Sequence, residues 1–352
     1  FVVLSSSEPQ IAANHIRAAQ ARALAEAGLE RAIWALNNPT ESAGIPDPLP
    51  ALASALPPPF NGTAISLGAG VFAVSVTNGS AANERNVTAE GFVPTQSAYR
   101  AKRKISATVT TIGVPDPPCA LCVKGTLDVG GNSTIDARGS TCGTKVGAYS
   151  TGATNISGSG DVYGGGNNSP DEPGVDYLAG VAPSAFDAFT FTQDELNILK
   201  SLAKANNAYY KGAVSFGSSN LLPNGIVFVD TVSGNPIGTP PTPSDLASVT
   251  ITGSNASGWL IVMGSISING NIAYHGLVYA ANDIVYHASG SGGGITGAVI
   301  SLNLVTSVSS SVDASTTGNA SISYNCDDIK NGRGTIPQGY FVKPGTWREL
   351  EG

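Results

Sequence analysis

Charge, sulfur and long apolar runs are all scarce in this chain of 352 residues. Only 12% of its residues are charged, about half the share usual in a cytosolic enzyme. The net charge of −7 leaves no positive excess, which argues against broad, charge-driven DNA binding. Methionine occurs once, histidine three times and cysteine four times. No GxSxG elbow, HExxH helix or phosphate-binding P-loop appears, so those chemistries have no carrier here. The apolar run at the start, Phe1 to Leu4, is far short of the roughly 20 residues that a membrane helix needs.

What is abundant is glycine (43) and proline (22), beside many Ser, Thr and Asn residues. That is the composition of an exported, turn-rich β protein. In an oxidising compartment Cys119, Cys122, Cys142 and Cys326 allow three pairings, among which the sequence does not choose. Cys119-Ala-Leu-Cys122 has the CxxC spacing of a redox motif or half a zinc site. A second CxxC and a surrounding βαβ pattern are both missing, so structural disulfides are expected and no cofactor or metal is called for.

One stretch stands apart. Ten alanines between Ala12 and Ala35 make it the strongest helix former in the chain, interrupted by Gly28. At 100° per residue Ile11, Ala18, Ala25, Leu29, Ile33 and Leu36 share a stripe, while Leu24 and Ala35 project to roughly the opposite face. Such a helix is apolar on more than one side, so a small sheet is expected to leave part of it for other subunits. The string AEAGLERA within this helix, and Pro344-Gly-Thr-Trp-Arg-Glu-Leu350 at the far end, resemble the corresponding elements of PilX-type minor pilins. The resemblance is specific over about 38 N-terminal residues and the last ten. It implies a type IV pilus subunit whose N-terminal helix packs beside those of other pilins and minor pilins. It also implies an inner-membrane anchor before assembly and a place at the pilus or cell surface afterwards. On that basis the first residues are expected to be the last turn of a hydrophobic anchor whose remainder precedes Phe1.

The helix is expected over 1–38, ending at Asn37-Asn38-Pro39, followed by a Pro/Ala/Ser-rich linker over 39–62. Strands at 71–77, 86–93 and 104–112 form an antiparallel meander over 63–114. Past Val114-Pro115-Asp116-Pro117-Pro118 come short β-branched runs broken by Gly, Asn and Ser. Leu260, Leu277 and Ala298 begin equivalent segments 17 and 21 residues apart, a loose period that suits a β-solenoid over 115–352. Thr192-Gln-Asp-Glu195 is a capping box that opens a helical insertion near 192–207, with Leu196, Leu199, Leu202 and Ala203 on its apolar face. The expected fold class is therefore α+β, mainly β: a long pilin helix on a small antiparallel meander, then a β-solenoid with a helical insertion.

This combination reads as a structural and interaction protein presenting a tip domain for adhesion or capture of a surface or glycan ligand. The alternative is a secreted β-helix enzyme acting on polysaccharide. Its carboxylates would be Asp128 and Asp136, or the acidic loop Asp161, Asp171, Glu172 and Asp176, with Lys124, Arg138 and Lys145 as the nearby bases. A basic cluster at Arg100, Lys102, Arg103 and Lys104 is expected to be a solvated turn, not a DNA contact. His275 and His287 lack a third ligand at metal spacing, and His15 lies near the edge of the helix stripe.

Overall fold

The computed structural model describes residues 2–166, 168–290, 293–305 and 312–350, with side chains from residue 8 onward. It divides into two units, Phe1–Ile112 with Gln338–Gly352, and Gly113–Pro337.

In the first unit, helix α1 runs Val2–Asn37. The Asn38 side-chain amide closes its end by donating to the Trp34 carbonyl, just before Pro39. Four strands follow, β1 (Ile65–Leu67), β2 (Gly70–Asn78), β3 (Glu84–Val93) and β4 (Ala101–Thr110), paired antiparallel in chain order. Alternate strand residues, among them Phe72, Val74, Val87, Ala89, Ile105 and Ala107, are buried together with α1 residues from Ala21 to Leu36. Two glycines set how closely helix and sheet approach. A Cβ on Gly28 would press on Phe72 and Val74 at 3.1 Å. On Gly91 of β3 it would overlap the Ala21 carbonyl and come within 2.8 Å of the Leu24 Cβ. At this crossing the strand lies against helix backbone, and only glycine leaves room for it.

In the second unit all pairings between named strands are parallel, in sheets of eleven and seven strands. The long strands Ser254–Val262, Ile272–Ala280 and Gly294–Ser301 each contain a central glycine, and Gly258, Gly276 and Gly297 stand in register. Their φ values of 134°, 139° and 142° turn the strand at each level. A Cβ at any of them would overlap the carbonyl of the glycine one coil before it. In the last of the three strands the turn also divides its outer neighbours. Residues 295–297 pair with 322–324, and residues 299–301 pair with 121–123. Beyond the glycine, residues 259–262, 277–280 and 298–301 are buried on both faces, which accounts for their unbroken apolar runs.

Helix α2 (Gln193–Ala205) opens on the Thr192–Glu195 capping box and buries Leu196, Leu199 and Ala203. Leu202 is only half-buried, whereas Ile198 and Lys200 are buried. Lys200 pairs with the buried Asp230 at 2.5 Å, and Asp230 also accepts from the Tyr209 hydroxyl at 2.8 Å. A buried ammonium is tolerated here because its carboxylate partner comes with it. Burial and the neighbouring Asp230 together push the Tyr209 phenol well above its usual range.

The fold class expected from sequence does not hold as stated. The antiparallel part is not a meander complete within 63–114, because Phe341–Val342 and Arg348–Leu350 extend it along β4 into a six-stranded sheet. The chain's end therefore belongs to the first unit, and the second domain ends at Pro337, not at residue 352. Nor do the parallel strands stack in chain order, as a solenoid wound from one end would. Cys119–Val123 lies between 299–301 and Val146–Ser150, and Leu127–Val129 lies between Ala314–Gly318 and Thr154–Ile156. Thr134–Asp136 lies between Ser321–Tyr324 and Asp161–Tyr163. The early coils thus continue the stack from its last coil, and the later chain builds back from the other end, starting at Tyr209–Lys211. The physical reason is that Cys119–Val123 is buried along its whole length and needs a parallel neighbour on each side.

Asp283 and Asp313 precede paired residues on adjacent strands, Ile284 and Ala314. Burial raises the Asp283 carboxyl to about 6, and the negative charge of Asp313 adds to the shift. The unfolded chain ionises it near pH 4, so between about pH 4 and 6 the folded state binds more protons. Stability should fall as pH rises through that window. Asp283→Asn should gain about 1 kcal/mol at pH 7, a figure reduced for solvent screening of a half-exposed group, and nothing at pH 3.5. Urea unfolding at the two pH values checks this, and an equal gain at both would contradict it.

Candidate functional site: the uncovered half of the first helix

The sheet of the first unit covers only part of α1. None of residues 8–20 is buried, and burial begins at Ala21. Of the stripe read from sequence, Ala25, Leu29 and Leu36 are buried, Ile33 and Ala18 are half-buried, and Ile11 is 56% exposed. Ile16 adds a second aliphatic side chain in the open, at 58%. Leu24 and Ala35 do not form an opposite apolar face. They are buried along the other edge of the same face, so the packed stripe is centred nearer Ala21, Gly28 and Ala32 than the projection placed it. The exposed aliphatic side chains of α1 therefore lie before residue 21, while behind the covered half Trp34 is exposed with the Arg31 guanidinium over its ring. A shallow groove of about 240 Å³ borders it, lined by Gln20, Ala23, Leu24, Leu67, Ala69 and Gly70. Phe1 and the side chains of residues 2–7 lie outside the described residues.

The two end motifs meet on this unit. Arg22 of α1 contacts Glu26 at 3.0 Å and Glu349 at 3.8 Å, and its guanidinium lies over the Trp347 ring, 5.6 Å from the centroid. Arg103 of β4 reaches the same Glu349 at 3.3 Å. Behind them Lys343 pairs with the buried Glu84 at 2.6 Å, whose carboxyl is held below its usual range first by that lysine and then by Ser80. The Asn37 side chain also bridges Tyr340, accepting from its amide at 2.6 Å and donating to its carbonyl at 3.0 Å. Sequence reasoning treated the Trp-Arg-Glu ending as a marker only. No local pattern shows that it is a strand seated beside α1.

The other candidate residues fall into separate settings. The four cysteines form two disulfides, Cys119–Cys122 and Cys142–Cys326. Asp128 and Asp136 sit in different sheets, each half-buried. Asp128 accepts from Asn155 at 2.7 Å. Asp136 is raised by burial, but the side-chain and backbone hydrogen bonds from Arg138 outweigh that and hold it below its usual range. In the acidic loop Asp171 accepts from the Val162 amide, the buried Asp176 from those of Gly164 and Glu172, and Asp161 from the Tyr163 hydroxyl. Lys145 pairs with Asp116 at 2.6 Å.

Lys102, Arg103 and Lys104 belong to β4, not to a turn, and the two lysines share Glu90. His275 reaches Asp328 at 2.8 Å through Nδ1, His287 reaches Thr317 at 2.9 Å, and His15 is exposed. Among the described residues no group of three metal-ligating side chains forms, and no helix is long and apolar enough to cross a membrane.

No protein-family model matches the sequence, and no curated protein does. Among solved structures it is similar to the crystal structure of competence-associated pilin ComZ from Thermus thermophilus. The match covers 95% of this chain and 96% of that chain at 11% identity, with a TM-score of 0.28. A likeness at that level decides neither fold nor function.

Proposed function

We propose that this chain is a structural subunit of a type IV pilus or related filament, with α1 as its assembly element and the inserted parallel-sheet unit as a binding head for a surface or glycan ligand. The observation that carries the proposal is the division of α1: one half is packed on a sheet through glycine-mediated contact, and the other presents Ile11 and Ile16 to solvent. A helix half held out from a folded unit with two aliphatic side chains in the open is suited to an interface. The resemblance of AEAGLERA and the Trp-Arg-Glu ending to PilX-type minor pilins points the same way. The polysaccharide-degrading alternative calls for two carboxylates across one bond; Asp128 and Asp136 stand on strands of different sheets, and Asp136 is paired with Arg138.

Ile11→Glu with Ile16→Glu is the test. Both positions are exposed, so unfolding free energy should stay within about 0.5 kcal/mol of the parent. Incorporation into sheared filaments, read by immunoblot, should be lost because two carboxylates would enter a helix-packed interface. Undiminished incorporation of the double variant would remove α1 from the assembly role.

A further inference from the structure

Helix α2 and the segment before it leave a cleft of about 390 Å³ against the parallel strands of the second unit. Its apolar lining includes Met263 and Tyr279 of the strand region, with Phe191 and Leu196 opposite. Phe191 packs at a tilt against both Trp259 and Tyr279, with ring centroids 5.4 and 5.2 Å away, which fixes that wall. Residues 237–241, ending in Pro240-Pro241, form another wall. The volume and the mostly apolar lining are those of a small-molecule site.

Two charged side chains line it, Lys124 and Asp187. Lys124 has its backbone amide tied to the Ser301 carbonyl, while its ammonium has no ion-pair partner among the described residues. A cation that is half-buried beside an apolar cavity and has no ion-pair partner among the described residues is complementary to an anion brought by a ligand. We infer that this cleft binds a small amphipathic organic anion, its ring or aliphatic body against Phe191, Leu196 and Tyr279 and its acidic group on Lys124. Asp187, exposed at the cleft, disfavours a second acidic group and leaves an acceptor for a hydroxyl or amine on the ligand. This site is independent of the filament proposal, since it uses no residue of the first unit.

The full chain titrated with 1-anilinonaphthalene-8-sulfonate, followed by fluorescence, tests it. Native protein should show one saturable site. Lys124→Met, which keeps the aliphatic stem, should weaken binding about tenfold, and Lys124→Arg should restore most of it. Leu304→Glu, an exposed lining position, should weaken binding as well without disturbing the fold. Absence of a saturable site in the native chain, or equal affinity in native and Lys124→Met protein, would overturn the assignment.

Discussion

Gly91→Val should separate α1 from its sheet and cost on the order of 3 kcal/mol or more. Overpacking usually costs less, because a flexible side chain can turn aside. Here the first obstacles are backbone: the Ala21 carbonyl and the Ala25 amide nitrogen, the latter 2.7 Å from the position a Cβ would take. The helix cannot yield at that point without losing the contacts on either side of it. Leu24 and Ala25 would lift together, and the close approach at Gly28, one turn on, would open too. Urea unfolding measures the loss, with Gly139→Ala, whose added carbon meets nothing within 4 Å, as a neutral comparison. A loss below about 1 kcal/mol would mean that the crossing is more pliable than its geometry implies.

Gly91 also marks the limit of what this sequence discloses. The alanine-rich periodicity predicted α1 but, of its buried face, only Ala25, Leu29 and Leu36, while alternation predicted β2, β3 and β4 to within a few residues. Those signals are local, set by which side chains share a face. Close approach is not local. A glycine inside a strand reads as a weak point until the helix carbonyl above it is seen, and the packed face was misplaced for the same reason. The apolar runs from Trp259 to Ser301 disclosed stacked strands but not the order of stacking, because strand identity says nothing about which strand is next door. The pairing of Cys119–Val123 with 299–301 joins segments far apart in the chain. Likewise, nothing around Trp347 signals its position over Arg22.

The stacking order gives the Cys142–Cys326 disulfide its importance. At the junction between the two arms of the chain, coil follows coil without a direct covalent connection: 121–123 sits beside 299–301, 127–129 beside 314–316 and 134–136 beside 321–323. Only hydrogen bonds and packing close that junction, apart from this one bond, whose cysteines are 184 positions apart. Constraining so long a loop in the unfolded chain is worth about 5 kcal/mol in the chain-entropy model, at the upper end of measured losses. Cys119–Cys122 spans three positions inside one strand, and the same model gives it about 2 kcal/mol. Cys142→Ser with Cys326→Ser should therefore cost about 4 kcal/mol, and the denaturant slope should steepen as the unlinked unfolded chain expands. Cys119→Ala with Cys122→Ala should cost less and leave the slope close to native. If the two double variants lost stability equally, or if the Cys142/Cys326 pair fell by under 1 kcal/mol with an unchanged slope, the arms would be holding together without their clamp. The permuted stack would then owe its closure to the three ladders that join 121–123 to 299–301, 127–129 to 314–316 and 134–136 to 321–323.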